Sequence, residues 1–283
     1  MDRRERPDTT PAGELLGVDF SSAPSRRKPV TVAYGRLDGT VLQLQRVDAL
    51  PDLRSFEALL AQPGPWLGAF DFPFGLPRVF VQQLALGERC ADVIAELRRR
   101  CPSRAALRAT IDAFGNARPP GQRLPHRVCD TALPGVTSTS PLQTRYVPVG
   151  FMYYEGLSRL VDAGVTLPRL HPGDPRRVAL EGYPGLLAHE LIGRRSYKNR
   201  DDEATRAARA DLLAALQAGR TRLGLRLRLS RALRDELLAD AAADRLDAVL
   251  CLVQAAWASA RPGLGLPDTV DPVEGWIATA PGL

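Results

Sequence analysis

"LGAFDFPFGLP", residues 67–77, is an apolar run that ends in an aspartate, Asp71, and then turns through two phenylalanines, two prolines and a glycine. A short apolar run bounded by turn formers reads as a buried strand. A carboxylate at the end of such a strand is costly unless something pairs with it. The same pattern stands earlier in the chain, where "LLGVDFSSAP", residues 15–24, runs apolar into Asp19-Phe20 and then becomes polar. Two units of strand, Asp, Phe and turn predict two carboxylates delivered to one place.

Outward from these strands, residues 30–37 and 41–48 alternate in hydropathy around Asp38-Gly39, which predicts a hairpin. Residues 52–61 read as a helix capped by Asp52, with Leu53, Phe56, Leu59 and Leu60 on one face. The chain therefore opens β-β-β-α-β. Residues 78–114 are helical, basic and rich in Ala and Leu; residues 115–150 cluster Pro, Gly, Thr and Ser into a long loop. Loops of that length in a compact domain are usually functional or disordered. Residues 151–163 return to a helical period. A strand over about 176–182 then leads through Tyr183-Pro184 into a helix opening on Pro184-Gly185, which puts a third acid, Glu181, at a strand end. A charged amphipathic helix over 201–218, a longer helical stretch over 230–260 and a final short strand in "VEGWIATA" complete the chain. No internal repeat or linker is visible. The expectation is a disordered tail over 1–14, then a single α/β domain over 15–283 with a helical and loop insertion at about 85–150.

The 283 residues are 45% hydrophobic and 25% charged, ordinary globular values, and no apolar run reaches the 18 residues that suggest a membrane span. The N-terminal stretch lacks the apolar middle of a signal peptide. Four cysteines, with no CxxC pairing and no grouping with the three histidines, argue against a zinc site or a disulfide framework. A cytoplasmic protein is the expectation. The formal charge of +6 suits either a polyanionic partner such as nucleic acid or arginines on solvated helix faces. Lysine occurs only at Lys28 and Lys198, so the one in "RRSYKNRDD" stands out as a compact point charge among arginines.

Asp19, Asp71 and Glu181 each end a strand, and in open α/β sheets sites form outside the carboxyl ends of the strands. Carboxylates on neighbouring strands repel, and one is forced to bind a proton unless a cation intervenes. Hard oxygen ligands suit Mg²⁺ or Mn²⁺. In "AADRLDAVLC", Asp244 and Asp247 are spaced to share a helix face, and Asp247 stands at the edge of a solidly apolar run. Taken singly, Asp19 reads equally as a turn cap, Glu181 as a partner for a surface arginine, and Asp244 as a solvated helix residue. Four acids in matching structural positions make the stronger pattern.

The order of elements resembles the ribonuclease H-like fold. More narrowly, "GVDFSSAP", "DFPFGLP", "EGYPG", "SYK" and "DRLDAVLC…EGWI" resemble the motifs of the DUF429 family, predicted ribonuclease H-like nucleases, over about residues 15–278. The resemblance implies a mixed five-stranded sheet flanked by helices. It also implies an acidic cluster of Asp19, Asp71, Glu181 and Asp247, with Asp244 a further ligand, and Lys198 as the lysine of the "SYK" piece. Two divalent ions clamped by such carboxylates would hydrolyse a phosphodiester without a catalytic serine or histidine. Lys198 would contact the scissile phosphate, and Arg194, Arg195 and Arg200 flanking it would bind substrate phosphates. Tyr146, Tyr153 and Tyr154 are candidates for stacking on bases or for core packing. Two other readings keep the fold. One is hydrolysis of a nucleotide or other small phosphoester, favoured by a closed pocket under the 115–150 loop; the other is a non-catalytic binding or regulatory module. No G-x-S-x-G supports a serine hydrolase, and no glycine-rich phosphate loop follows Asp19.

Overall fold

The computed structural model describes residues 13–132 and 135–282. The tail expected over 1–14 lies outside the described residues, except that Glu14 already belongs to the first strand. One mixed sheet of seven strands is built in the order β5-β6-β4-β1-β2-β3-β7. Its strands are β1 (Glu14–Asp19), β2 (Val30–Asp38), β3 (Val41–Leu50), β4 (Trp66–Phe70), β5 (Val165–Thr166), β6 (Asp174–Glu181) and β7 (Arg226–Arg228). β1, β4 and β6 run parallel as neighbours, so their carboxyl ends share one edge. The β2–β3 hairpin turns at Asp38-Gly39, as the Asp-Gly pair predicts.

Helices cover both faces. On one side lie α1 (Leu53–Leu60), α2 (Arg78–Gln83), α3 (Cys90–Arg100), α4 (Arg104–Asn116) and α5 (Val149–Asp162); on the other lie α6 (Pro184–Ile192), α7 (Glu203–Ala218), α8 (Arg231–Ala239) and α9 (Asp244–Ser259). The strands between them obey a period of two. Leu16, Val18, Trp66, Phe70 and Ala179 join the first core, while Leu15, Leu67, Val178 and Leu180 join the second.

Three sequence expectations change. The sheet has seven strands rather than five, because β5 and β7 are edge strands of two and three residues, too short to leave a periodic signal. The stretch 230–260 is two helices, α8 and α9. Asp240 ends the first and accepts the Ala242 and Arg245 amides, and Ala243 takes a left-handed conformation at φ 61°. No glycine or proline marks that break. The "VEGWIATA" segment is not a strand: Ile277 makes a single parallel bridge to Glu181.

The phenylalanine after each strand-end aspartate has a structural job. Phe20 and Phe72 pack with ring centroids 4.8 Å apart, and Phe72 meets Phe74 at 5.3 Å. Such pairs contribute about 0.5–1.5 kcal/mol each beyond their burial. They lock the ends of β1 and β4 together from the first core, so the aspartates beside them project from the other face. On that face α9 lies directly on β1. A Cβ at Gly17 would stand 2.1 Å from both the Ala248 carbonyl oxygen and the Leu252 nitrogen, contacts to backbone that cannot yield. Gly17→Ala is therefore expected to lower unfolding free energy by about 3 kcal/mol, at or beyond the upper end of ordinary overpacking. Denaturant unfolding checks this; a loss under about 1 kcal/mol would show that α9 can back away from β1.

Candidate functional site

Register decides which acids meet. Val18 of β1 pairs with Phe70 of β4, and Phe70 pairs with Glu181 of β6. Asp19 and Asp71 each follow one residue later, and the Asp71 amide donates to the Val18 carbonyl at 2.8 Å. Both aspartates thus leave the sheet on the α9 face. Glu181 shares the row of Val18 and Phe70, whose side chains enter the first core. A one-residue difference in register sends a side chain to the opposite face.

That parity accounts for where Glu181 goes. It is buried and accepts two bonds from Arg127, at 2.6 Å and 2.8 Å, plus one from the Phe74 amide at 2.8 Å. Arg127, 2% exposed, also donates to Asp130 at 2.8 Å and to the Glu274 carbonyl at 2.9 Å. Burial pushes the Glu181 carboxyl above its ordinary range, and Arg127 opposes that rise. The expected role of Glu181 beside Asp19 and Asp71 is thus replaced by a buried ion pair, because both its oxygens are already engaged.

Asp247, in the first turn of α9, faces the strand-end aspartates. Its carboxylate accepts from the Tyr197 hydroxyl at 2.5 Å and from the Lys198 ammonium at 2.6 Å. Acidic residues in a first turn suit the positive end of the helix dipole. Asp247 is buried, whereas the Lys198 side chain stays 41% exposed and looks outward. Burial works against the Lys198 charge, but Asp247, Asp71 and Asp19 more than offset it, so its ammonium is held above the ordinary lysine range. Lys198 is held in place by buried Arg209, which donates to the Tyr197 and Arg200 carbonyls at 3.1 Å and 3.3 Å.

Asp19 and Asp71 are left without such partners among the described residues. Burial first, then the charges of Asp247, Asp71 and Asp244, hold the Asp19 carboxyl well above the usual carboxylate range. Burial and Asp247 push Asp71 up to about 7, with Lys198 pulling the other way. Three carboxylates therefore face one ammonium. Asp244 stands at the margin: burial and Asp240 raise its pKa, and Lys28 lowers it. Among the described residues, no three His, Cys, Asp or Glu side chains form a group already set to hold a metal ion.

A cleft of about 640 Å³ opens beside Asp71. One side is formed by α6 and the 193–198 segment, the other by residues 135–139 with Val147, Val149 and Met152. Lys198, Arg194 and Arg195 line it; Arg200 does not, and Arg195 is paired to Asp211 at 2.8 Å. Tyr183 forms part of the lining, with its ring folded over Gly185, where a Cβ would stand 2.8–2.9 Å from ring atoms. Tyr153 is buried in the first core, Tyr154 donates to the Cys101 carbonyl at 2.8 Å, and Tyr146 is fully exposed.

Arg127, Asp130, Tyr183 and Tyr197 carry much of this geometry and were not among the expected site residues. Only Tyr197 had a signal, its place beside Lys198 in "SYK". Among the described residues no helix is long and apolar enough to cross a membrane. No family model, curated protein or solved structure matches the chain.

Proposed function

We propose that the chain is a cation-dependent phosphodiesterase, a nuclease acting on DNA or RNA, built on a ribonuclease H-like sheet as its resemblance to the DUF429 motifs implies. The observation that carries this reading is the pair Asp19 and Asp71. They are neighbouring carboxylates at parallel strand ends, pushed toward protonation by burial and by each other, with no arginine or lysine bonded to either. Two oxygen donors with excess negative charge fit a hard divalent cation such as Mg²⁺ or Mn²⁺. With Glu181 taken by Arg127 and Asp247 by Lys198 and Tyr197, Asp19 and Asp71 would hold that ion, rather than all four carboxylates holding two.

When bound, such an ion activates water and polarises a phosphoryl oxygen. The remaining work belongs to the chain. Asp247 aims the Lys198 ammonium into the cleft, where it offsets charge developing on the phosphoryl oxygen. Tyr197 fixes the other Asp247 oxygen. Arg194 adds positive charge at the mouth.

The test is a Mg²⁺ or Mn²⁺ titration against end-labelled DNA, RNA and hybrid substrates, with Asp19→Asn and Asp71→Asn run alongside. Each substitution is expected to lower turnover by at least about a hundredfold. Cleavage that survives in both variants removes the carboxylate mechanism. The cleft supports the small-phosphoester reading as well, since about 640 Å³ lies in the range of single-ligand pockets. Hydrolysis of nucleotide esters without any on polynucleotides would decide for it. Binding with no hydrolysis of either would leave a non-catalytic module.

A further inference from the structure

We infer that the cleft takes one nucleotide unit with a free end, so that the enzyme works on strand termini or single nucleotide esters and not on internal linkages. This rests on the phosphodiesterase reading of Asp19 and Asp71, and it adds what the walls of the cleft select.

The far wall is constructed, not merely a loop lying near the site. Along residues 136–140 burial alternates: Val136, Ser138 and Ser140 are buried, while Thr137 and Thr139 are exposed and line the cleft. The buried members are tied down. The Ser138 hydroxyl donates to Asp130 at 2.6 Å, its amide donates to the Asp130 carbonyl at 2.9 Å, and the Ser140 hydroxyl donates to the Pro125 carbonyl at 2.7 Å. Asp130 is in turn held by buried Arg127. An anchored strip of this kind presents two hydroxyls at fixed positions.

The two ends of the cleft differ in chemistry. At one end Asp71, Lys198 and Arg194 offer an anion site. Toward the other, Val149, Met152, Tyr183 and Pro184 form an apolar slot, and the Thr137 and Thr139 hydroxyls stand at its edge. A phosphate joined to a flat, hydrogen-bonding ring matches that gradient. The volume sets the length of the ligand. Grooves that track a single strand engage about 4–16 nucleotides, and duplex readers insert a helix or ribbon into a groove. A cleft of about 640 Å³ closed by a wall admits a single unit, with the rest of any chain leaving past Asp71.

The experiment compares an end-labelled linear single strand with a closed circle of the same sequence, and with the p-nitrophenyl ester of thymidine 5′-monophosphate, all in Mn²⁺. The expected result is release of mononucleotides from the linear strand, cleavage of the aryl ester, and survival of the circle. Linearisation of the circle at a rate within about tenfold of the linear strand overturns the inference and leaves the phosphodiesterase reading standing. No cleavage of any of the three overturns both. A binding arm separates the wall from the chemistry. In the Asp19→Asn background, Thr137→Trp narrows the slot from an exposed position. It is expected to weaken thymidine 5′-monophosphate binding about tenfold by calorimetry, with an unchanged melting temperature. Equal affinity in the two proteins overturns the assignment of the slot.

Discussion

Without divalent cation at pH 8, Asp71→Asn is expected to melt several degrees above the wild-type protein while losing its activity. The sign follows from the direction of the shift. In the folded chain Asp71 titrates near about 7, far above an unfolded aspartate, so its contribution to stability is complete below about pH 4. That contribution is lost as pH rises through about 7, because the ionised carboxylate is then held among Asp19 and Asp247. Asparagine keeps the shape and removes the charge. The gain at pH 8 is on the order of 2 kcal/mol after allowing for solvent screening, and it disappears at about pH 4–5. Mn²⁺ should have the opposite dependence. It stabilises the wild type more at pH 8 than at pH 5, where protons compete for the same oxygens, and it does little for Asp71→Asn. Differential scanning calorimetry at the two pH values, with and without Mn²⁺, reads all four states. If Asp71→Asn is no more stable than wild type at pH 8, or gains as much from Mn²⁺, then Asp71 is not an uncompensated carboxylate awaiting a cation.

That site was partly visible in the chain before folding. Asp19 and Asp71 could be placed because each closes a run too apolar to be anything but a buried strand, and the repeated Asp-Phe marks both strand ends. Asp247 could be placed because the residues after it leave no solvent-facing stripe. Glu181 shows where such reading fails. A strand-end acid in sequence says nothing about register, and one residue of parity carries its side chain to the other core. Arg127 failed for a different reason. It sits in a segment without periodicity, and its burial depends on four partners that come from three other parts of the chain. The short strands β5 and β7 were hidden because two or three residues exist as strand only through their neighbours. Local pattern reports what a segment buries; it does not report what it is buried against.

Arg127 supplies the largest expected effect on stability. Replacing it with methionine, of comparable length and no charge, leaves Glu181 and Asp130 buried and facing each other with no cation between them. Removing one partner of a buried pair costs about 3–5 kcal/mol, because the remaining charge is then uncompensated. The pH dependence separates this from a packing defect. Burial already raises the Glu181 pKa in the intact protein, and removing the guanidinium raises it further. The variant can therefore recover by protonating Glu181 as pH falls, so its deficit is greater at pH 8 than at pH 5. A packing defect would be the same at both. Adding Glu181→Gln to Arg127→Met should restore a large part of the loss at pH 8, which a double-mutant cycle in urea measures directly. Arg127→Lys, which keeps the charge but not the planar fork, should fall between wild type and methionine and provides a folded protein if Arg127→Met does not survive. The same substitution reaches the cleft. Asp130 holds Ser138, and Ser138 holds the strip carrying Thr137 and Thr139. Arg127→Lys is accordingly expected to weaken nucleotide binding severalfold while leaving the Mn²⁺-dependent rise in melting temperature close to that of wild type. An Arg127→Lys protein that binds nucleotide normally, or one that loses its response to Mn²⁺, would show that the clamp and the carboxylate pair are not the separate devices their placement on opposite faces of the sheet makes them.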